Sequence, residues 1–267
     1  MLIMHKYKLY LLFLILFICL LFTNNKLIEP LSITNHAIIH SSQSETIYTF
    51  TKLKQYCINK LVNGIIVTGK YLYIISNNTI TIYLRVNGIE IYNKKTDFNH
   101  LFSGIMYNNL LFIVNKIPNN NSIIIFNLKL DYINNINIDL HGELLWIDYY
   151  NNIWWGCLKK NNIITLIEFD NEWYIKKQLY FAKEIINRLK PYIFNGQFHR
   201  QSGLLFLIGL NKKELLITTI SNNKIKLITI VAIGVTNSIS MDNNHLYGIY
   251  NNKIVLFRLE FNNIIPH

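Results

Sequence analysis

Cysteine is scarce. The 267-residue chain has three, with no Cys-x-x-Cys pair and no zinc-ligand spacing, so a metal clip is excluded as the staple of the fold. Cys19 falls in an apolar N-terminal run. Cys57 and Cys157 are left either to form one bridge, if the chain is exported, or to sit as two small buried hydrophobes. The usual catalytic signatures are also missing. The chain contains no Gly-x-x-x-x-Gly-Lys-Ser/Thr, no Gly-x-Gly-x-x-Gly, no His-Glu-x-x-His and no Gly-x-Ser-x-Gly. His36 and His40 stand four apart with no further ligand nearby, so the sequence implies no metal site and no cofactor. Acidic residues are few, 15 against 26 Lys and Arg, for a net charge of +11. Such an excess suits nucleic acid or an anionic membrane, but here it is dispersed. The lysines are scattered through turns, and no run of about five or six basic residues occurs. Ile, Asn, Lys and Tyr, all with A- and T-rich codons, are abundant. The charge therefore reads as a solvated, codon-biased surface, and a nucleic-acid partner is not implied.

What the chain does have begins with an apolar run. Leu9 to Phe22 carries no charge and follows His5, Lys6 and Lys8, the pattern of a basic n-region and an apolar h-region. This predicts an N-terminal hydrophobic helix, with residues 1–23 acting as a signal peptide or signal anchor. The run is short of the roughly 20 residues that span a bilayer, and no small-residue pair follows it at Thr23 to Lys26. Cleavage and retention both stay open, beside a buried core helix. In either export reading Lys6 and Lys8 remain cytoplasmic, and the rest is secreted or membrane-anchored in type II orientation on the other side. Residues 24–43, with Pro30 and serines at Ser41 and Ser42, read as a polar tether.

From Thr46 onward one beat returns: Gly69-Lys70-Tyr71-Leu72-Tyr73, Asn108-Asn109-Leu110-Leu111-Phe112, Asn151-Asn152-Ile153-Trp154-Trp155, Ser202-Gly203-Leu204-Leu205-Phe206 and Asn243-Asn244-His245-Leu246-Tyr247. Each couples residues tolerant of positive φ to an apolar pair ending in an aromatic, the chemistry of a tight hairpin feeding a buried strand. Asn87-Gly88 between Leu84-Arg85-Val86 and Ile89-Glu90-Ile91 is a further hairpin signal. The beats recur about every 40 to 50 residues, the length of a four-stranded blade. Ile123 to Phe126, Leu204 to Ile208 and Leu215 to Ile217 are apolar on both faces, so both faces must be covered. A sandwich leaves one face wet, whereas a blade lies between two neighbours. The reading is an all-β, five-bladed β-propeller over residues 44–267. Its blades run over 64–94, 104–138, 143–180, 196–231 and from 238 onward, and Thr46 to Lys52 supplies the last blade's missing outer strand. An all-β sandwich is the alternative. Phe181, Ile185, Ile186 and Leu189 at helical spacing, with Glu184 and Arg188 four apart, predict a short helix inserted at 181–190.

The turn-aromatic pattern resembles the repeats of β-propeller proteins broadly, the group holding WD40-like and quinoprotein-like propellers, over Thr46 to about Phe261. The chain has neither the Gly-His…Trp-Asp pair of WD40 blades nor the quinoprotein tryptophan-docking motif. The resemblance therefore implies an architecture and no family-level activity.

Functional candidates follow from that register. The first-strand ends Thr68, Tyr107, Asp148, His199 and Asp242 would line the channel. Asp148 and Asp242 with His199 could form an acid–base set for glycoside hydrolysis, or the aspartates could simply bond their own turns. Trp146, Trp154, Trp155 and Trp173 cluster in the third blade and read as core. Sequons stand at Asn77 and Asn120 on turns. With no catalytic signature, a module binding or scaffolding a protein or glycan partner is preferred to a hydrolytic enzyme. Interfaces need aromatic or arginine anchors. The candidate contacts are Tyr149 and Tyr150, an aromatic pair where sister turns carry Asn or Gly, and Arg188 on the inserted helix.

Overall fold

Asparagine pairs make the turns. In a computed structural model describing residues 34–40, 45–58, 60–117, 120–189, 193–209 and 213–264, both residues take positive φ at 108–109, 151–152, 161–162, 222–223 and 251–252. This is the mirror-image two-residue turn whose twist matches the strands it joins. The apolar run Leu9 to Phe22 lies outside the described residues, as do residues 24–33 and 41–44.

Strand β1 (Thr34–His40) pairs antiparallel with β2 (Glu45–Cys57). Part of the segment read as a tether is thus a strand, and it covers an edge of β2 that would otherwise stay open. Next come β3 (Gly64–Val67), β4 (Tyr71–Ile75), β5 (Thr79–Leu84) and β6 (Glu90–Lys95), a four-stranded meander. A second follows as β7 (Leu101–Tyr107), β8 (Leu110–Asn115), β9 (Asn121–Asn127) and β10 (Tyr132–Ile138). A third comprises β11 (Glu143–Tyr150), β12 (Ile153–Lys160), β13 (Ile163–Phe169) and β14 (Ile175–Phe181). Helix α1 (Lys183–Leu189) falls inside the expected 181–190. The fourth meander is β15 (Ile193–Phe198), β16 (Leu205–Gly209), β17 (Glu214–Ser221) and β18 (Lys224–Ala232). Parallel pairing of Tyr180 and Phe181 with Lys224 and Ile225 joins the third and fourth meanders at their outer strands, making one eight-stranded sheet. The chain closes with β19 (Ile239–Met241), β20 (His245–Tyr250) and β21 (Lys253–Ile264). Strand β2 pairs with β21 from Glu45↔Ile264 to Cys57↔Lys253, so Thr46 to Lys52 does supply the outer strand of the last sheet.

The architecture is all-β and propeller-like. First strands touch in a closed cycle: β3 with β7, β7 with β11, β11 with β15, β15 with β19, and β19 with β3. Strands read as apolar on both faces are buried on both, as β9 and β16 show. Apolar layers fill the spaces between consecutive sheets. Trp146, Trp155 and Leu166 of the third meander meet Phe198, Leu205 and Leu207 of the fourth. Tyr48 and Phe50 of β2 and Phe257 of β21 meet Phe206 and Ile217.

Polar side chains stitch the ring at its inner edge. Asn63 Nδ2 donates to Leu101 O at 2.9 Å, and Ser103 Oγ to Leu145 O at 3.1 Å. Phe198 N donates to Asp148 Oδ2 at 2.8 Å, and Met241 N to Gln197 Oε1 at 2.7 Å. Ile65 N and Val67 N donate to Ser238 Oγ and Ser240 Oγ at 3.2 and 3.1 Å. Each first strand thereby satisfies backbone groups that have no ladder partner on the channel side.

One hairpin differs from its sequence reading. Strand β5 stops at Leu84, so Arg85 and Val86 lie in a wide turn through Asn87 and Gly88, whose φ is 69°. Asn87-Gly88 marks the hairpin but not its two-residue form: Leu84 N donates to Ile89 O at 2.8 Å around a four-residue turn, from which the Arg85 guanidinium reaches Asp242 and Tyr247 on another sheet.

Closure by β2 predicts an asymmetry. Phe50 is fully buried, and Phe50→Ala should cost about 3 to 5 kcal/mol in urea unfolding. Val86→Ala, at a side chain 70% exposed in an outer turn, should stay within about 0.5 kcal/mol.

Candidate functional site at the channel mouth

Every first strand ends at the same face of the ring, and a cleft of about 230 Å³ opens there. Val67, Thr68 and Gly69, Ile105 and Met106, and Ser240 to Asp242 line it from three sheets, together with Arg85, Gln197 and Arg200. Arg85 comes from the wide turn after β5. Arg200 comes from the turn joining β15 to β16, where Gly203 takes a φ of 71° with the Tyr150 hydroxyl close against its α-carbon.

Two arginine–aspartate pairs cross between sheets here. The Arg85 guanidinium binds Asp242 Oδ2 and the Tyr247 hydroxyl, and donates to Thr68 O at 3.3 Å. Asp242 Oδ1 accepts the Asn244 and His245 N–H groups at 2.9 and 2.8 Å, holding its own turn. Burial alone would raise this carboxyl, but the Asn244 N–H, Arg85 and His245 together hold it below the ordinary value. Arg200 forks onto Asp148 at 2.5 and 3.3 Å. Asp148 is fully buried and also accepts the Phe198 and Tyr149 N–H groups at 2.8 and 2.9 Å. Its burial outweighs these donors and pushes its pKa up.

The expected channel set is therefore divided. Thr68 and Asp242 line the cleft. Asp148 sits between β11 and β15 as a stitch. His199 is buried and stacks on Phe206 at 5.6 Å with Tyr48 edge-on at 5.8 Å, and burial lowers its pKa. The acid–base set of Asp148, Asp242 and His199 does not converge, because Asp148 and His199 are spent in the junctions between sheets.

Tyr107 belongs to an aromatic row beside the mouth. Its ring lies 4.1 Å from Tyr149, which lies 5.0 Å from Trp154, which lies 4.7 Å from Trp173. All are half-buried, and the rings tilt against one another. Trp146 and Trp155 are core, as read from sequence.

Tyr149 and Tyr150 are the last two residues of β11, and the turn itself is Asn151-Asn152. As strand neighbours they face opposite ways. Tyr149 joins the row, and Tyr150 stacks on Phe198 at 4.8 Å and 10°. Arg188 pairs with Glu214 Oε2 at 3.4 Å instead of with Glu184. Glu214 opens β17, at the end of the meander away from the mouth. The three candidate contacts are thus not one patch. Cys57 is exposed and Cys157 buried, both with free thiols. Among the described residues, no cluster of His, Cys, Asp and Glu could hold a metal ion, and no helix is long and apolar enough to cross a membrane.

Sequence reasoning missed Arg85, Gln197 and Arg200. A signal existed: only four residues of the chain are arginine, and two of them meet at this cleft. Among so many lysines, an arginine in a turn marks a place that needs a fork of donors.

The pairs generate a test. Asp148→Ala strands a buried N–H and an arginine, and should cost about 3 kcal/mol, the low end for a buried pair because Arg200 still reaches water. Asp242, with its lowered pKa, contributes stability that is present above the ordinary carboxylate value of 3.8 and lost as pH falls through its own. Urea midpoints from neutral pH into acid should therefore fall less steeply in Asp242→Asn than in the wild type.

No family model matches this sequence, and no curated protein sequence matches it. Solved structures do. The fold is similar to Myxococcus xanthus glutaminyl cyclase, at 9% identity and a TM-score of 0.56, over 80% of this chain and 96% of that one. It is also similar to the WD40 repeats of RRP9, at 8% identity and a TM-score of 0.50, over 85% and 98%. At such identities the likeness concerns the fold alone. The chain is a divergent propeller-like repeat protein.

Proposed function

We propose that the chain is a five-bladed propeller working as a non-catalytic module, with a protein partner docking on the channel-mouth face. The observation that carries this reading is how the site's carboxylates are used. Asp148 and Asp242 are each closed by an arginine and by backbone N–H groups, leaving neither carboxylate poised to move a proton for a substrate. The same face holds an open cleft, Met106 at 37% exposure and the row Tyr107, Tyr149, Trp154 and Trp173. Aromatic and sulfur side chains around a recess are the anchors protein interfaces use. A glycan platform fits less well, because the rings tilt against each other and offer no flat stacking surface. The count of five blades is supported by the closed cycle of first strands and by the pairing of β2 with β21.

Export is part of the proposal, as a secreted or type II membrane-anchored protein. Its support is the basic flank and apolar run at Leu9 to Phe22. Asn77 and Asn120, the sequon asparagines, are both exposed, and both follow second strands, on the face away from the mouth. Glycans there would leave the mouth clear. Protease added to intact membranes should spare everything beyond Lys26 or find it outside, and endoglycosidase should increase gel mobility. Digestion from the cytosolic side would refute export.

For the binding face, Met106→Glu should lower partner capture about tenfold, roughly 1.4 kcal/mol, with the melt unchanged. Lys160→Glu, on the opposite face, should leave capture as it was. Capture that survives Met106→Glu and falls with Lys160→Glu would move the site to the other face. Hydrolysis of a glycoside lost in the Asp148→Asn, Asp242→Asn double variant, with folding intact, would favour an enzyme.

A further inference from the structure

The mouth cleft has donors to spare and few acceptors. Gln197 is buried at 8% exposure, and its Oε1 is fixed by the Met241 N–H at 2.7 Å, which leaves both amide hydrogens of Nε2 unspent on the cleft wall. Ser240 Oγ accepts the Val67 N–H at 3.1 Å, and its own O–H remains to donate. Arg200 uses the two hydrogens of its fork on Asp148, while Nε and the outer hydrogens of its guanidinium stay available at a side chain 36% exposed. The acceptors are committed. Asp242 Oδ1 holds two backbone N–H groups and Oδ2 holds Arg85, and Thr68 O takes Arg85 Nη1.

We infer that this cleft binds the carboxylate of a partner polypeptide, taken by the Gln197 amide, the Ser240 hydroxyl and the free side of the Arg200 guanidinium. The inference rests on the mouth being the binding face. A ligand here must accept several hydrogen bonds and need donate none, which describes an ionised carboxylate. Asp148 anchors the far side of Arg200, so the guanidinium meets the ligand already oriented and loses little freedom on binding. At about 230 Å³ the cleft has room for one acid group and its stem but not for a folded element. Met106 and the neighbouring aromatic row would then cover the residues flanking that acid. Two sources share this chemistry, an acidic side chain within a chain and a free C-terminus.

The test uses defined probes on the full-length protein. A glycine pentapeptide with a central glutamate and both ends blocked is titrated against its glutamine twin. A third peptide carries a free C-terminus and no acidic side chain, and inorganic phosphate and glucuronic acid complete the set. The glutamate peptide or the free-terminus peptide should bind at least about tenfold more tightly than the neutral twin, and the tighter of the two identifies the source. Gln197→Glu keeps the acceptor for Met241 N–H, replaces the donors with a like charge, and should weaken that binding about tenfold or more. If this variant melts lower, the comparison of peptides on the wild type decides alone. Equal binding of the acidic and neutral peptides, no binding of either carboxylate peptide, or tighter binding of phosphate or glucuronic acid would overturn the inference. Those results leave partner capture through Met106 intact, whereas loss of the mouth-face reading would appear in the capture assay itself.

Discussion

The structure depends on what happens at the inner edge of each sheet. A four-stranded meander leaves one edge of its first strand without a ladder partner, and in a closed ring that edge faces the channel. Backbone groups there must be satisfied by something other than a strand. The chain supplies short polar side chains from the neighbouring first strand or its flank: Asn63, Ser103, Asp148, Asn195, Gln197, Ser238 and Ser240. Every junction in the cycle has at least one such bond. Each is worth about 1 kcal/mol net, but leaving the group bare would cost about 1 to 3. The stitches therefore select the ring over any opened arrangement, while the apolar layers between sheets provide most of the stabilisation.

Closure and chemistry share these residues. A side chain used to satisfy a neighbour's backbone is no longer free to act on a ligand, and that is the fate of Asp148. Gln197 shows the other outcome. One end of its amide is consumed by Met241 and the other is left over, so the stitch itself presents two donors at the mouth. Ser240 does the same with a single hydroxyl. A recess with surplus donors arises here as a by-product of holding the ring shut.

Much of the fold was legible in the sequence because it is local. Five Asn-Asn pairs take positive φ at both turn positions, though Gly69-Lys70, Asn77-Asn78 and Asn243-Asn244 do not; apolar runs report burial on two faces, and five returns of one beat report the meanders. Even the pairing of β2 with β21, nearly the whole chain apart in sequence, could be inferred by counting the strands of the last unit. The site was not legible in the same way. Whether Asp148 faces the channel or the next sheet depends on which neighbour's N–H comes within reach, and that is a relation between strands about 50 residues apart. Arg85 was hidden for the same reason, since its partners Asp242 and Tyr247 lie on another sheet. Against the sister turns Tyr149 and Tyr150 read as a turn, but they are the last two residues of β11. Strand alternation sends them to opposite neighbours.

The turns themselves explain where specific residues collect. Two-residue Asn-Asn turns are fixed by the twist of the strands they join, and their side chains have no further task. First strands supply most of the mouth lining, but both of its arginines come from turns that depart from this form. Arg85 stands in the wide turn closed by Gly88, Trp173 in the loop after β13, and Arg200 in the turn completed by Gly203. Two of these departures let an arginine reach across to an adjacent sheet, Arg85 to Asp242 and Arg200 to Asp148, while Trp173 folds back on Trp154 and Phe169 of its own. The strands give the ring its regularity, and the irregular turns on the mouth face bring Arg85 and Arg200 to the cleft.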